Sequence, residues 1–367
     1  MTIAFHEIPG IGWHAIHKLM QAGIHSEKQI TRERLLSIGF KTAQAEAALR
    51  ALSQRPLHRA EQDSEAVVKA GAVIITRHDD YYPAWLNEIA QPPWLLYAKG
   101  RLELLSKPSI AIVGTRVPTA AGRLTAEKLA EELSRFGLAV VSGLAKGIDS
   151  RAHEAALRAE GSTVAVMPTP IDTCYPPENR ALFKRIEAEG LLLSEMPIGT
   201  KLHPGQFPQR NRIIAGLSYG TIVVEGAARS GSLITASQAL EMNREVFAVP
   251  GPIGSPKSEG PNGLIKRGEA KLITCGSDVI EELAWLPQAL HAHRNVSIHK
   301  ADHHACEAES STLEERKIIG LLQDQPLSIN EIHELSAIPF GHLNALLLNL
   351  CIKRKIGLQP GSIYMVL

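Results

Sequence analysis

A chain of 367 residues with 44% apolar side chains can bury more than one core, and its length suggests two or three domains. With 39 basic against 38 acidic residues the net charge is +1, so a site for a polyanion must come from local clustering rather than from the chain as a whole. The cysteines (Cys174, Cys275, Cys306, Cys351) are widely spaced with no Cys-x-x-Cys, no apolar run matches a bilayer, and no charged-then-apolar leader opens the chain, so the expectation is a reduced cytoplasmic protein, off the membrane, without metal or cofactor.

Residues 1–65 read as a helical domain. Ile8-Pro9-Gly10-Ile11-Gly12 is a glycine-punctuated turn before an amphipathic helix over Trp13–Ala22. Ser37-Ile38-Gly39-Phe40 echoes it before a second helix over Lys41–Leu52. A Gly-x-Gly turn between short helices resembles a helix-hairpin-helix or SAM-like module, whose amides meet nucleic-acid phosphates; equally, the glycines close a tight turn.

Residues 66–290 alternate. Strands are predicted at Ala72–Thr76, Ser109–Val113, Leu138–Ser142, Thr163–Met167, Leu191–Ser194, Thr221–Glu225 and Glu245–Val249, each apolar nearly throughout, as strands covered on both faces require. Helices are predicted at Thr119–Arg135, Ile148–Ala159, Pro177–Ala188 and Ser232–Met242. The pattern implies a doubly wound α/β core with a parallel sheet, and such sheets bind ligands beyond the carboxyl ends of their strands. Residues 291–311 read as a histidine-rich linker, in which His303-His304-x-Cys306 is either a metal cluster or solvated chain. Residues 312–367 order as helix Leu313–Leu322, helix Ile329–Leu335, helix Phe340–Arg354 and a hairpin turning at Pro360-Gly361, the winged-helix order. The third helix is rich in leucine and poor in cations, which suits packing or protein contact at least as well as duplex reading.

The candidate site residues lie at the strand ends. Gly114 and Arg116 follow the second predicted strand, where an arginine fork suits phosphate oxygens. Gly143 and Lys146 precede a helix carrying Asp149 and His153 four apart, read as an acid/base pair or as a structural hydrogen bond. Lys201, Phe207, Arg210, Asn211 and Arg212 lie in a stretch expected to be irregular until Ile213. There an aromatic face among cations suits a stacked base, or Phe207 enters the core beside a basic loop. Ser230, Gly231, Ser232 and Thr235 open a helix after the sixth strand, where hydroxyls and amides suit an anion. Neither a dinucleotide fingerprint nor a Walker A loop is present.

Taken in order, Ile112-Val113-Gly114-Thr115-Arg116, Ser142-Gly143-Leu144-Ala145-Lys146-Gly147-Ile148-Asp149, Tyr175-Pro176, Phe207-Pro208-x-Arg210-Asn211-Arg212 and Ser230-Gly231-Ser232-Leu233-Ile234-Thr235 resemble the DNA-processing protein A (DprA/Smf) family. Met167-Pro168-Thr169-Pro170 departs from the glycine-containing turn commoner there. The resemblance implies an extended Rossmann-like core that binds single-stranded DNA without catalysis, protects incoming strands in natural transformation, loads a RecA-type recombinase and pairs as a homodimer through the core. It also implies that Arg116, Lys146, Phe207, Arg210 and the 230–232 loop contact DNA. Two other readings stand beside it. One is a LOG-like nucleoside-monophosphate phosphoribohydrolase, although Ser237 and Gln238 replace its catalytic carboxylate. The other is a winged-helix regulator of duplex DNA.

Overall fold

The structure, a computed structural model, describes residues 5–6, 8, 10–24, 29–54, 66–159, 162–283, 313–336, 338–352, 355–359 and 363–366. The expected linker at 291–311, with His303, His304 and Cys306, lies outside them. The chain forms two compact units, residues 1–296 and 297–367.

In the first unit, helices α1 (Trp13–Gln21), α2 (Arg32–Ser37) and α3 (Thr42–Gln54) form the N-terminal module. Ile16, Leu19, Leu35, Ala45 and Ala48 make its core, and Trp94 from the following segment closes it. Helix α2 was not expected; Thr31 starts it by accepting from the Arg34 amide.

A nine-stranded sheet follows. Its strands are β1 (Val73–Thr76), β2 (Leu95–Gly100), β3 (Ser109–Val113), β4 (Ala139–Ser142), β5 (Thr163–Met167), β6 (Leu191–Ser194), β7 (Gly220–Val223), β8 (Glu245–Ala248) and β9 (Lys271–Leu272), in spatial order 1-2-6-5-4-3-7-8-9. From β6 to β9 all pairings are parallel. The sheet is not parallel throughout: β1 and β2 add an antiparallel edge. The connecting helices are α4 (Ala84–Asn87), α5 (Ala120–Arg135), α6 (Ile148–Ala156), α7 (Arg180–Glu189), α8 (Gln206–Leu217), α9 (Gly231–Glu241), α10 (Glu259–Lys266) and α11 (Gly276–Glu282).

Because strand side chains alternate, one sequence feeds two cores. Ala111, Val113 and Val141 pack with Ile213, Ile214 and Leu217 of α8 and Ala236 and Ala239 of α9. Ile110, Ile112 and Val140 pack on the opposite face with Leu129 and Leu133 of α5 and Ile148 and Ala152 of α6. Winding runs outward from β3 through β4, β5 and β6, then returns through α8 to β7 on the other side of β3. The reversal leaves a crevice beyond the carboxyl ends of β3 and β7.

The second unit is a winged helix: α12 (Leu313–Asp324), α13 (Ile329–Ser336), α14 (Phe340–Ile352) and an antiparallel sheet β10-β12-β11. The hairpin β11 (Ile356–Gln359) and β12 (Ile363–Val366) was expected; β10 (Leu327–Ser328) between the first two helices was not. Ile318, Ile332, Leu343, Leu347 and Leu350 are buried together. Among the described residues, no helix is long and apolar enough to cross a membrane, and no group of three or more His, Cys, Asp or Glu is placed to hold a metal. Cys174, Cys275 and Cys351 are free thiols.

Candidate nucleic-acid interface

The stretch expected to be irregular is the start of helix α8. Pro208 lies in its first turn, where an amide has no partner to lose, so the helix forms. That start raises Phe207 beside the loop that follows β4. The ring is half-buried and packs edge-on against Tyr175, 5.6 Å between centroids. The Arg116 guanidinium lies 5.5 Å from its centroid, within cation–π range. With Gly143, Ala145, Lys146, Pro168 and Glu178, these groups enclose a cleft of about 370 Å³. Arg116 and Lys146 are exposed there, and Lys146 Nζ pairs with Glu178 at 2.5 Å.

Arg210 also borders the cleft, but it is a buried group and not a surface cation. Its Nη1 donates to the carbonyls of Gly143 and Val166, both at 2.5 Å, and its Nε donates to Asn211 Oδ1 at 3.1 Å. Asn211 Nδ2 in turn donates to the Gly231 carbonyl at 3.4 Å. One hydrogen-bonded chain thus ties the 143–146 loop, through α8, to the start of α9. Burial pulls the Arg210 pKa down to about 10, against the opposing pull of Asp149.

The amides of the 143–145 loop point inward. Gly143 N donates to Asp149 Oδ2 at 3.1 Å, and the Ala145 amide also bonds Asp149. Leu144 N donates to His153 Nε2 at 3.2 Å, and Asn179 Nδ2 donates to the Leu144 carbonyl at 2.8 Å. Leu144 sits at φ 54, a conformation that a branched side chain holds only when its surroundings enforce it. Asp149 and His153 are therefore loop anchors, each bonded to the loop. His153 Nδ1 lies 2.7 Å from Thr163 Oγ1, whose proton goes to the Val140 carbonyl. Nδ1 must donate and Nε2 must accept, so the imidazole is neutral. Burial holds its pKa at about 3, and Arg210 adds to the effect.

Other predicted residues are placed elsewhere. Thr115 N is taken by the Glu225 carbonyl at 2.7 Å, so the Gly114 turn keeps no free amide at that position. A Cβ on Gly114 would stand 2.6 Å from Ile148 Cγ1, so glycine there serves close packing. Ser230 and Ser232 hydroxyls bond one another at 2.7 Å; Gly231 is exposed, while Ser232 and Thr235 are buried in α9. Arg212 points away from the cleft. It closes on both Glu195 carboxylate oxygens at 2.6 and 2.5 Å and donates to the Gln91 carbonyl. Lys201 and Arg212 line a different cavity on the far side of α8. Two residues were missed. Tyr175 braces Phe207; its signal was the Tyr175-Pro176 pair already singled out. Glu225 spans the crevice to the Thr119 amide and hydroxyl at 2.9 and 2.5 Å and fixes the start of α5; its one signal was its place at the end of the predicted strand Thr221–Glu225.

A profile of the family described as DNA recombination-mediator protein A matches residues 73–284. The Smf protein of Synechocystis is 36% identical over 79% of each chain. The chain belongs to the DNA recombination-mediator protein A family. The matched segment begins at β1 and holds every residue of the cleft. Within this family, the solved DNA processing protein A (DprA) of Streptococcus pneumoniae superposes with a TM-score of 0.67 at 37% identity, covering 77% of this chain and 95% of that one. The Helicobacter pylori DNA processing protein A structure gives 0.53 at 31% identity, covering 58% and 95%.

Proposed function

We propose that this recombination-mediator protein captures single-stranded DNA, with little sequence preference, in the cleft of Arg116, Lys146, Tyr175 and Phe207. The observation that carries the reading is the half-buried Phe207 ring with a guanidinium 5.5 Å from its centroid, beyond the carboxyl ends of β3, β4 and β5. An unpaired base stacks on the open part of the ring, which contributes ~1–3 kcal/mol per base, while Arg116 and Lys146 follow the phosphates. Glu178 is no obstacle: its pair with Lys146 is solvent-exposed and screened, so a phosphate displaces it. The cleft binds through side chains, since the loop amides are committed to Asp149 and His153. A duplex keeps its base faces covered and loses the stacking contribution. The Helicobacter pylori relative has a single-stranded DNA binding mode, which supports the same ligand here.

The reading extends to binding without catalysis, to hand-off of the coated strand to a RecA-type recombinase in the cytoplasm, and to pairing through the core. The carboxylates nearest the cleft are engaged structurally, Glu178 with Lys146 and Asp149 with the loop. On α9, Gln238 is bonded to the Pro208 carbonyl at 3.2 Å. Base release from AMP by the purified protein would restore the phosphoribohydrolase reading. The direct test compares oligo-dT with a duplex of equal length, using wild type and Arg116→Ala. Preference for the single strand, reduced in the variant and weakened by salt, is expected. Equal affinity for both forms overturns the proposal.

A further inference from the structure

A second cavity, of about 840 Å³, opens on the opposite side of α8 from the cleft. Its walls are the segment Gly10–Trp13 of the N-terminal module, Trp94, the segment Glu195–Lys201, and Gln209 and Arg212 of α8. One helix therefore borders both spaces, with Phe207 and Arg210 on one side and Gln209 and Arg212 on the other. A helix with its side chains is ~10–12 Å across. A strand leaving the Phe207 cleft crosses that width within about four nucleotides, even at the ~3.4 Å spacing of stacked DNA.

The walls suit such a strand. The carboxylate of Glu195 is neutralised within the wall by both hydrogen bonds from Arg212. His6 is held neutral by burial, which lowers its pKa. Lys201 is exposed and makes no ion pair among the described residues, so the uncompensated charge on this wall is positive. The aromatic side is rigid. Trp13 and Trp94 lie 5.9 Å apart at 28°, Trp13 Nε1 donates to the Pro92 carbonyl at 2.7 Å, and Trp94 Nε1 donates to the Trp13 carbonyl at 3.2 Å. A base meeting that surface finds it already ordered, so little side-chain entropy opposes binding.

We propose that this cavity is a second subsite for the same single strand, with a base against half-buried Trp13, which Trp94 braces from the core, and a phosphate at Lys201. The proposal rests on the single-strand reading of the Phe207 cleft and assigns the N-terminal module a direct part in it. It is tested on the full chain with oligo-dT of two lengths, about six nucleotides to fill the first cleft and about twenty to reach both, within the range of known site sizes. Lys201→Ala is expected to weaken the long oligomer several-fold, to lessen its salt slope by about 0.7, and to leave the short one unchanged. The long oligomer should quench tryptophan fluorescence, and Trp13→Phe should remove much of that quenching. Lys201→Ala acting on both lengths alike, or on neither, overturns the subsite, as does quenching that persists in Trp13→Phe. Arg116→Ala separates the two claims: it must weaken both lengths if the first cleft is correct. Loss of only the long-oligomer effect leaves the first cleft standing without the second.

Discussion

Removal of the Phe207 side chain tests the stacking contribution in isolation. The ring is half-buried at the start of α8, outside the apolar clusters of the sheet, and its packing partners are Tyr175 and Arg116. Phe207→Ala therefore loses one aromatic edge contact, ~0.5–1.5 kcal/mol, and leaves the core intact. For DNA the loss is one stacked base, ~1–3 kcal/mol, plus ~0.5–1 kcal/mol if Arg116 loses the ring that orients it. At 1.4 kcal/mol per decade the sum corresponds to a rise in Kd of roughly ten- to several-hundred-fold. Anisotropy of labelled oligo-dT gives Kd, and urea unfolding of the same sample shows that the variant is folded. Phe207→Trp should retain affinity. A folded Phe207→Ala protein that binds oligo-dT as tightly as wild type refutes stacking on this ring.

Arg210→Ala should destabilise by about 2–5 kcal/mol in urea unfolding, because the buried Gly143 and Val166 carbonyls would lose their donor and buried Asp149 the nearby positive charge. Arg210→Lys should rescue little of this, since an ammonium cannot reproduce the guanidinium geometry; full rescue would show that charge alone matters. His153 predicts a pH dependence. Its folded pKa of about 3 lies below its ordinary 6.5, so the unfolded chain takes up the proton first. The stabilisation is complete above pH 6.5 and declines as pH falls towards about 3, by at most about 1.4 kcal/mol per pH unit. An NMR titration should show this imidazole still neutral at pH 5; a midpoint near 6.5 would contradict the tautomer deduced from its bonds. Gly143→Ala would set a Cβ 2.5 Å from Arg210 Nη1, so oligo-dT binding and stability should fall together; an unaltered protein would mean that the loop is not held from below.

The parallel strands were legible because buried strands are apolar throughout, and β3, β5 and β6 match the expected limits. Strand β2 was missed: Leu95–Gly100 follows two prolines and joins the sheet antiparallel, so no β–α alternation announced it. Helix α8 was missed because Phe207-Pro208-Gln209-Arg210 looks like polar loop, and only the tolerance of a first turn for proline makes it helical. That error carried into the site. In an extended loop Arg210 and Arg212 would both be surface cations. On a helix they face different surroundings, one into a buried network and one onto Glu195. The grouping of Arg116, Lys146 and Phe207 was expected from the family resemblance; strand topology alone placed only Arg116 and Lys146 at strand ends. The inward-facing amides were not expected, since only coordinates show that Asp149 and His153 consume them. In the winged helix, the exposed positions of α14 include Phe340 and Leu348, with no Lys or Arg from Phe340 to Ile352, which disfavours duplex reading by that helix.

The central claim is that an unpaired base stacks on Phe207, beside Tyr175. Photocrosslinking of the full chain to an oligo-dT carrying halogenated deoxyuridine, followed by peptide mapping, addresses it most directly. Crosslinks should fall on peptides containing Tyr175 or Phe207 and disappear with excess unlabelled oligo-dT but not with duplex. Crosslinks confined to residues 313–366, or competed equally by duplex, would contradict the account.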